Sequence, residues 1–264
     1  MSSDGNYDSS PILAELYDLI PMHTHRPDRD FYVEEAKVGG GTVLELGCGT
    51  GRILLPIAAS GCGIVGLDLS EHMLTRCRGK LESTPTDVRA RVQLIAGSMT
   101  AISLDQSFHL VIVPFRAFQH LQSVDDQLAC LRGAHRHLEP GGRLIVDLFH
   151  PDLKKLSSWD PSVEIEDCAE MTLPDGRRLR RCHRISAAHV AEQFNDVELI
   201  YYLTGANGIS ERIVHAFPVR YLFRYEMEHL LARSGFHLEH IFGNFDRSPL
   251  TDQSPEMIFV AKKN

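Results

Sequence analysis

A chain of 264 residues with 43% apolar and 23% charged residues suits one large domain, or one domain with an appendage, and excludes wholesale disorder. The formal net charge of −8 argues against a sequence-independent grip on nucleic acid, and no apolar run approaches the roughly 20 residues that cross a bilayer. Six scattered cysteines without a CxxC pair, behind a polar, acidic start with no apolar signal core, suggest a cytoplasmic protein with neither a disulfide framework nor a metal site.

In chain order, residues 11–19 and 31–37 read as helices joined by the Pro/His/Arg segment 21–30. From 42 to 150, short Val/Ile/Leu-rich runs alternate with helix-like stretches. TVLELG, GIVGLDL, RVQLIAG, FHLVIVP and GRLIVDLF suit strands buried on both faces of a parallel sheet. Residues 52–60, 70–82 and 124–138 suit the intervening helices, with Ser70-Glu71 starting the second and Pro140-Gly141-Gly142 closing the third. This rhythm predicts a doubly wound, mostly parallel α/β sheet. After Pro151 the runs 163–173, 177–187, 191–203 and 210–221 read as strands, with turn signals at Pro174-Asp175-Gly176 and at 205–208. A helix over 225–234, ended by Gly235, precedes two strands, 236–242 and 256–262, paired like a hairpin across a long loop. The expected organisation is a helical cover over 1–41, an α/β domain from 42–150 and 225–264, and an antiparallel β lid over 151–224.

The segment Val43-Leu44-Glu45-Leu46-Gly47-Cys48-Gly49-Thr50-Gly51-Arg52 runs from a buried strand through alternate glycines into a helix. Glycines let the backbone turn sharply and approach a ligand, and a helix start offers free N–H groups. The dinucleotide fingerprint would need glycine where Arg52 stands, which disfavours a dehydrogenase. Asp68 ends the second strand, 17 residues after Gly51, where an acid suits the hydroxyls of a ribose. Glu45 lies inside a buried strand, where a carboxylate costs several kcal/mol unless paired, so a cationic or hydrogen-bonding partner is expected; a positively charged ligand would serve.

ELGCGTGR, GLDLSEHML and LEPGGRLIVDLF together resemble class I S-adenosylmethionine-dependent methyltransferases, over 42 to about 151 and more loosely over the last forty residues. The resemblance implies a Rossmann-like fold of seven strands with a C-terminal antiparallel strand. It implies S-adenosyl-L-methionine as cofactor, with Gly47, Cys48, Gly49 and Gly51 around its amino-acid end, Asp68 on the ribose, and Leu69 and Met73 beside ribose or adenine. The third strand of that family ends in Gly-Asp-hydrophobic; here Gly97-Ser98-Met99 leaves Ser98 to hydrogen-bond and Met99 to pack on the adenine. Pro114-Phe115-Arg116-Ala117-Phe118-Gln119-His120 resembles the active-site loop of small-molecule methyltransferases. The Tyr17 and Tyr32 segments resemble their N-terminal cofactor cover. The lid and the segment 242–246 are similar to those of bacterial N-methyltransferases.

The expected reaction is in-line attack by a small-molecule acceptor, most simply an amine nitrogen, on the sulfonium methyl. His120 is the candidate acid/base or orienting group, Arg116 a partner for a substrate or cofactor anion, and Tyr17 a cover over the reacting atoms. His215 shares a strand face with Ile213, Phe217, Val219 and Tyr221 and reads as a core histidine. Arg178, Arg180 and Arg184 align on one strand face and read as a solvated face opposite the acids of 164–170 rather than an RNA site. No membrane or nucleic-acid partner is expected. The alternative is a non-catalytic cofactor-binding or scaffolding protein on the same fold.

Overall fold

The computed structural model describes residues 7–154 and 159–264; the first six residues of the expected cover and residues 155–158 of the expected lid lie outside the described residues. The N-terminal segment forms α1 (Pro11–Tyr17), a short α2 (Pro21–Thr24) inside the expected linker, and α3 (Asp28–Lys37). The α/β unit then runs β1 (Thr42–Leu46), α4 (Leu54–Ala59), β2 (Gly63–Asp68), α5 (Glu71–Glu82), α6 (Thr86–Arg89), β3 (Val92–Ala96), β4 (Phe108–Val113), α7 (Val124–His137) and β5 (Leu138–Phe149). Serines cap both long helices: Ser70 Oγ accepts from Met73 N–H at 3.2 Å and Ser123 Oγ from Asp126 N–H at 3.0 Å.

The lid is β6 (Ile165–Thr172), β7 (Arg178–His189), β8 (Phe194–Thr204) and β9 (Ser210–Arg220), a separate antiparallel sheet in sequential order. After α8 (Arg224–Arg233), β10 (Phe236–Phe242) and β11 (Glu256–Lys263) rejoin the main sheet, whose order is β10-β11-β5-β4-β1-β2-β3. β11 is antiparallel to both β10 and β5, and the other pairings are parallel. The doubly wound sheet with one antiparallel strand and an added β lid is the architecture the alternation of runs predicts.

Because side chains alternate across a strand, Leu44 and Leu46 face one side of the sheet with Leu131 of α7 and Leu230 of α8. Val43 faces the other with Phe31 of α3 and Ile57 of α4. Glu45 belongs to this second face. A third core joins cover to lid: Leu13, Leu16 and Ile20 pack on Leu173, Leu179 and Leu203. The cover therefore rests on the lid as well as on the α/β unit.

Two local expectations fail. Pro140-Gly141-Gly142 is not a turn between helix and strand: the helix ends at His137, pairing starts at once with Phe108↔Leu138, and the glycines form a bulge before Leu110↔Arg143 resumes the register. RVQLIAG is not buried on both faces: β3 is the edge of the sheet, with Val92, Leu94 and Ile95 only half-buried.

Candidate active site

The glycine loop sits at the carboxyl edge of β1, where open α/β sheets bind ligands. Gly47 and Cys48 N–H both donate to Leu67 O, at 2.8 and 3.1 Å, which ties the loop to the tip of β2. Gly47 has φ +74°, and a Cβ there would stand 2.9 Å from that of Ala117. Gly51 has φ +82°, with Cys77 Sγ 2.6 Å from the position a Cβ would take. Neither position admits a side chain. Asp68 binds the loop to the next helix: one oxygen accepts from Gly49 N–H at 2.7 Å, the other from Ser70 N–H at 2.9 Å.

Glu45 is 2% exposed, and its Oε2 has no hydrogen-bond partner among the described residues. Burial pushes its carboxyl well above the usual range, against the pull of Arg52. It lines a small cavity of about 20 Å³ together with Tyr17, Gly47, Cys48, Gly49, Pro114 and Phe115. The cover closes that cavity. Asp18 at the end of α1 accepts from Thr50 Oγ1 at 2.6 Å and pairs with Arg76 and Lys80 of α5 at 3.1 and 3.0 Å. Arg52 forks onto Asp28 of α3 at 2.6 and 2.7 Å. Burial raises the Tyr17 phenol to about 12, against the opposing charge of Arg52.

Below the loop lies a buried charge network. Asp147, near the end of β5 and fully buried, accepts from Arg26 at 2.8 Å, from the Tyr32 hydroxyl at 2.6 Å and from Phe115 N–H at 2.7 Å. Arg26 also pairs with Glu256 at the start of β11 at 2.9 Å, and Arg116 with the same carboxylate at 2.7 Å. Phe115 and Arg116 are held at φ +55° and +64°, a conformation non-glycine residues rarely adopt. The guanidiniums of Arg26 and Arg52 lie over the Phe115 ring, at 4.9 and 4.8 Å. The loop after β4 is thus locked by its backbone and its ring.

A second cluster lies between cover, loop and lid. The His215 ring of β9 stands 4.2 Å from that of Tyr7 and 4.7 Å from that of Phe217, and His120 stands 5.3 Å from Phe217. Burial pushes His120 down to about 4, against the opposing pull of the Pro218 backbone. Burial, with His120 adding to it, pushes His215 down to about 4 as well. Tyr7 joins this cluster to the first: its ring lies 5.8 Å from that of Tyr17. The lid also grips the cover, through Arg181 of β7, which meets Asp167 at 2.9 Å and His23 Nε2 at 3.0 Å. His23 Nδ1 in turn donates to Tyr17 O at 2.9 Å.

Residues 43–142 match the family described as "Methyltransferase domain". The chain is an S-adenosylmethionine-dependent methyltransferase. Among similar proteins is the cypemycin N-terminal methyltransferase of a Streptomyces species, 26% identical over the whole length of both chains. Solved structures with the same fold include the methyltransferase CcbJ from Streptomyces caelestis, at 22% identity and TM-score 0.74, covering 95% of this chain and 96% of that one. The amino pentose methyltransferase CalS10 from Micromonospora echinaspora is 21% identical with TM-score 0.67, covering 90% and 92%. At these identities the solved structures speak to the fold alone.

The residues at the loop fit the methyl donor. S-adenosylmethionine carries an α-ammonium, and Glu45 Oε2 is a buried carboxyl oxygen with no hydrogen-bond partner among the described residues. A close-approach glycine loop stands beside it. The structure brings Tyr17, Glu45, Gly47, Cys48, Gly49 and Pro114 to one cavity, with Asp68 bonded to Gly49. Met99 stands close by, its Cε 3.6 Å from where a Gly47 Cβ would be. Leu69 is exposed, Met73 lies on the buried face of α5, and Ser98 exchanges a hydrogen bond with Thr100 Oγ1 at 2.8 Å; none of these three lines the cavity. Gly51 packs on Cys77, Tyr32 and Arg116 are engaged in the charge network, and His120 belongs to the lid-side cluster. Asp147, Arg26 and Asp28 were not singled out by sequence reasoning. The signal for Asp147 was present in LIVDLF, where an acid interrupts a buried apolar run as Glu45 does in TVLEL.

Calorimetry with S-adenosylhomocysteine tests the donor site. Asp68→Ala is expected to weaken binding by about 1.5–3 kcal/mol, the usual loss for hydrogen bonds to a charged group. Because burial raises the Glu45 carboxyl in the free protein and an adjacent ammonium would lower it, binding should release a proton at a pH between the two values. The measured enthalpy should then vary with the ionisation enthalpy of the buffer, and Glu45→Gln should abolish that variation. An enthalpy independent of buffer in the parent protein would remove Glu45 from the ammonium site.

Proposed function

We propose that this methyltransferase transfers its methyl group to the amine nitrogen of a small-molecule acceptor held between cover, loop and lid. The observation that carries the reading is the enclosed cluster of Tyr7, His120, His215 and Phe217 lying next to Tyr17 and the donor cavity. Its walls are rings and its histidines are neutral, which suits an uncharged amine better than an anionic or polymeric acceptor. The relative named as an N-terminal methyltransferase points the same way. A nucleic-acid acceptor finds no support on the lid, where Arg178, Arg180 and Arg184 are paired with Glu170, Glu166 and Glu198 at 2.9, 3.5 and 2.7 Å.

S-adenosylmethionine, when bound, supplies an electrophilic methyl on a sulfonium whose departure leaves a neutral thioether. No acid is needed to expel it, so the work of the chain is alignment and exclusion of water. Tyr17 and Phe115 wall the donor cavity. Arg116, held on Glu256, fixes the loop instead of reaching a ligand. His120 presents an unpartnered Nδ1 that can hold an N–H of the amine.

The test is transfer of a labelled methyl group to a panel of small amines, with products read by mass. His120→Ala should lower turnover by about 10²–10⁴-fold and leave S-adenosylhomocysteine affinity unchanged. Methylation confined to hydroxyl or carbon acceptors would overturn the nitrogen reading.

A further inference from the structure

His215 is 2% exposed, and neither of its ring nitrogens has a hydrogen-bond partner among the described residues. Buried polar atoms without partners are rare and costly. Packing between Tyr7 and Phe217 would be served equally by a phenylalanine, so packing leaves the two nitrogens unexplained. Next to it, His120 has an unpartnered Nδ1. A neutral imidazole carries one N–H and one lone pair. With the lone pair on Nδ1, His120 accepts an N–H from a substrate.

The amine's own lone pair must stay free to attack the methyl group. A neutral His215 carries one N–H, and that donor needs an acceptor atom the amine cannot supply. Resting on the reading of a small amine acceptor, we propose that His215 is a substrate-binding residue. Its ring N–H donates to an oxygen of the same molecule whose amine N–H is held by His120 Nδ1. The substrate class is then an amine with a nearby hydroxyl or ether oxygen, on a ring or other compact frame. The second nitrogen of His215, a lone pair, suits the O–H of a further hydroxyl. No proton moves to His215 in this arrangement; it positions the substrate.

The experiment uses the full chain saturated with S-adenosylhomocysteine and three probes: trans-2-aminocyclohexanol, cyclohexylamine and trans-1,2-cyclohexanediol. Binding is read by calorimetry and by the ¹⁵N signals of the imidazoles. The amino alcohol should bind at least tenfold more tightly than cyclohexylamine and shift the His215 ring signals. In His215→Phe that preference should fall to within twofold, with S-adenosylhomocysteine affinity unchanged and the melting temperature not lowered. His215→Gln, which keeps a donor, should retain part of the preference. With S-adenosylmethionine and the amino alcohol, His215→Phe should raise KM more than it lowers kcat. Equal binding of the amino alcohol and cyclohexylamine in the parent protein would overturn the proposal, as would a preference that survives His215→Phe or the failure of all three probes to bind. If the diol and amino alcohol bind through His215 but no amine is methylated, the nitrogen reading falls while the oxygen contact stands.

Discussion

Asp147→Ala is expected to cost about 3–5 kcal/mol of folding stability, the usual loss when one partner of a buried ion pair is removed. The reason is the number of groups that Asp147 serves. Arg26, the Tyr32 hydroxyl and Phe115 N–H all donate to it; Tyr32 is buried and Arg26 nearly so. Glu256 still faces Arg26, but Tyr32 and Phe115 would have no acceptor. Asp147→Asn should fall between parent and alanine, because the amide keeps one acceptor oxygen and turns its N–H₂ towards a guanidinium. Urea unfolding with an unchanged m-value gives the number. Activity should fall further than stability predicts, since Phe115 N–H is what Asp147 holds in the strained loop that walls the donor cavity. A loss below about 1 kcal/mol would mean that the network is not cooperative.

Stability is also expected to decline steeply below pH 6.5. Burial holds His23 at about 3 and His120 and His215 at about 4, whereas the unfolded chain protonates each near 6.5. A folded value below the unfolded one means that the unfolded chain binds more protons across that interval. The stabilisation is therefore complete above pH 6.5 and is lost as pH falls towards the folded values. By pH 5 each histidine forfeits about 2 kcal/mol, at 1.36 kcal/mol per unit. Glu45 and Glu256, raised by burial, act in the opposite sense and blunt the net slope. His215→Phe isolates one contribution: between pH 7 and pH 5 it should lose about 2 kcal/mol less than the parent. Parallel curves for the two proteins would contradict a neutral, buried His215.

The alternation of Val/Ile/Leu runs with helical stretches was enough to read the sheet, the lid and the final strand pair, because burial on two faces and burial on one leave different periods. Pro140-Gly141-Gly142 misled because turn chemistry and bulge chemistry use the same residues, and only pairing across to Phe108 and Leu110 distinguishes them. Edge position was also hidden: RVQLIAG is as apolar as its neighbours, but nothing local says that no strand follows on its far side. At the site, residues close in sequence were the legible ones. Glu45, Gly47, Gly49 and Asp68 come from two adjacent strand ends. Tyr7, Asp28, Asp147 and His215 reach the same region from four separate segments, and their meeting is a product of tertiary packing alone. His215 in particular read as core, and it is buried; only its unpartnered nitrogens mark it out.

The last strand, β11, does not finish the sheet at a margin but slots between β5 and β10. Phe149 waits for Glu256, and the lid is made in between. While the ribosome builds residues 150 to 255, β5 is an open edge with unpaired N–H and C=O groups along an apolar strand. Glu256 then brings the carboxylate that Arg26 and Arg116 need, so charge balance beneath the loop arrives with the same strand. The nascent chain thus carries an unpaired apolar edge through about a hundred residues of synthesis, a window in which chaperone capture competes with self-association.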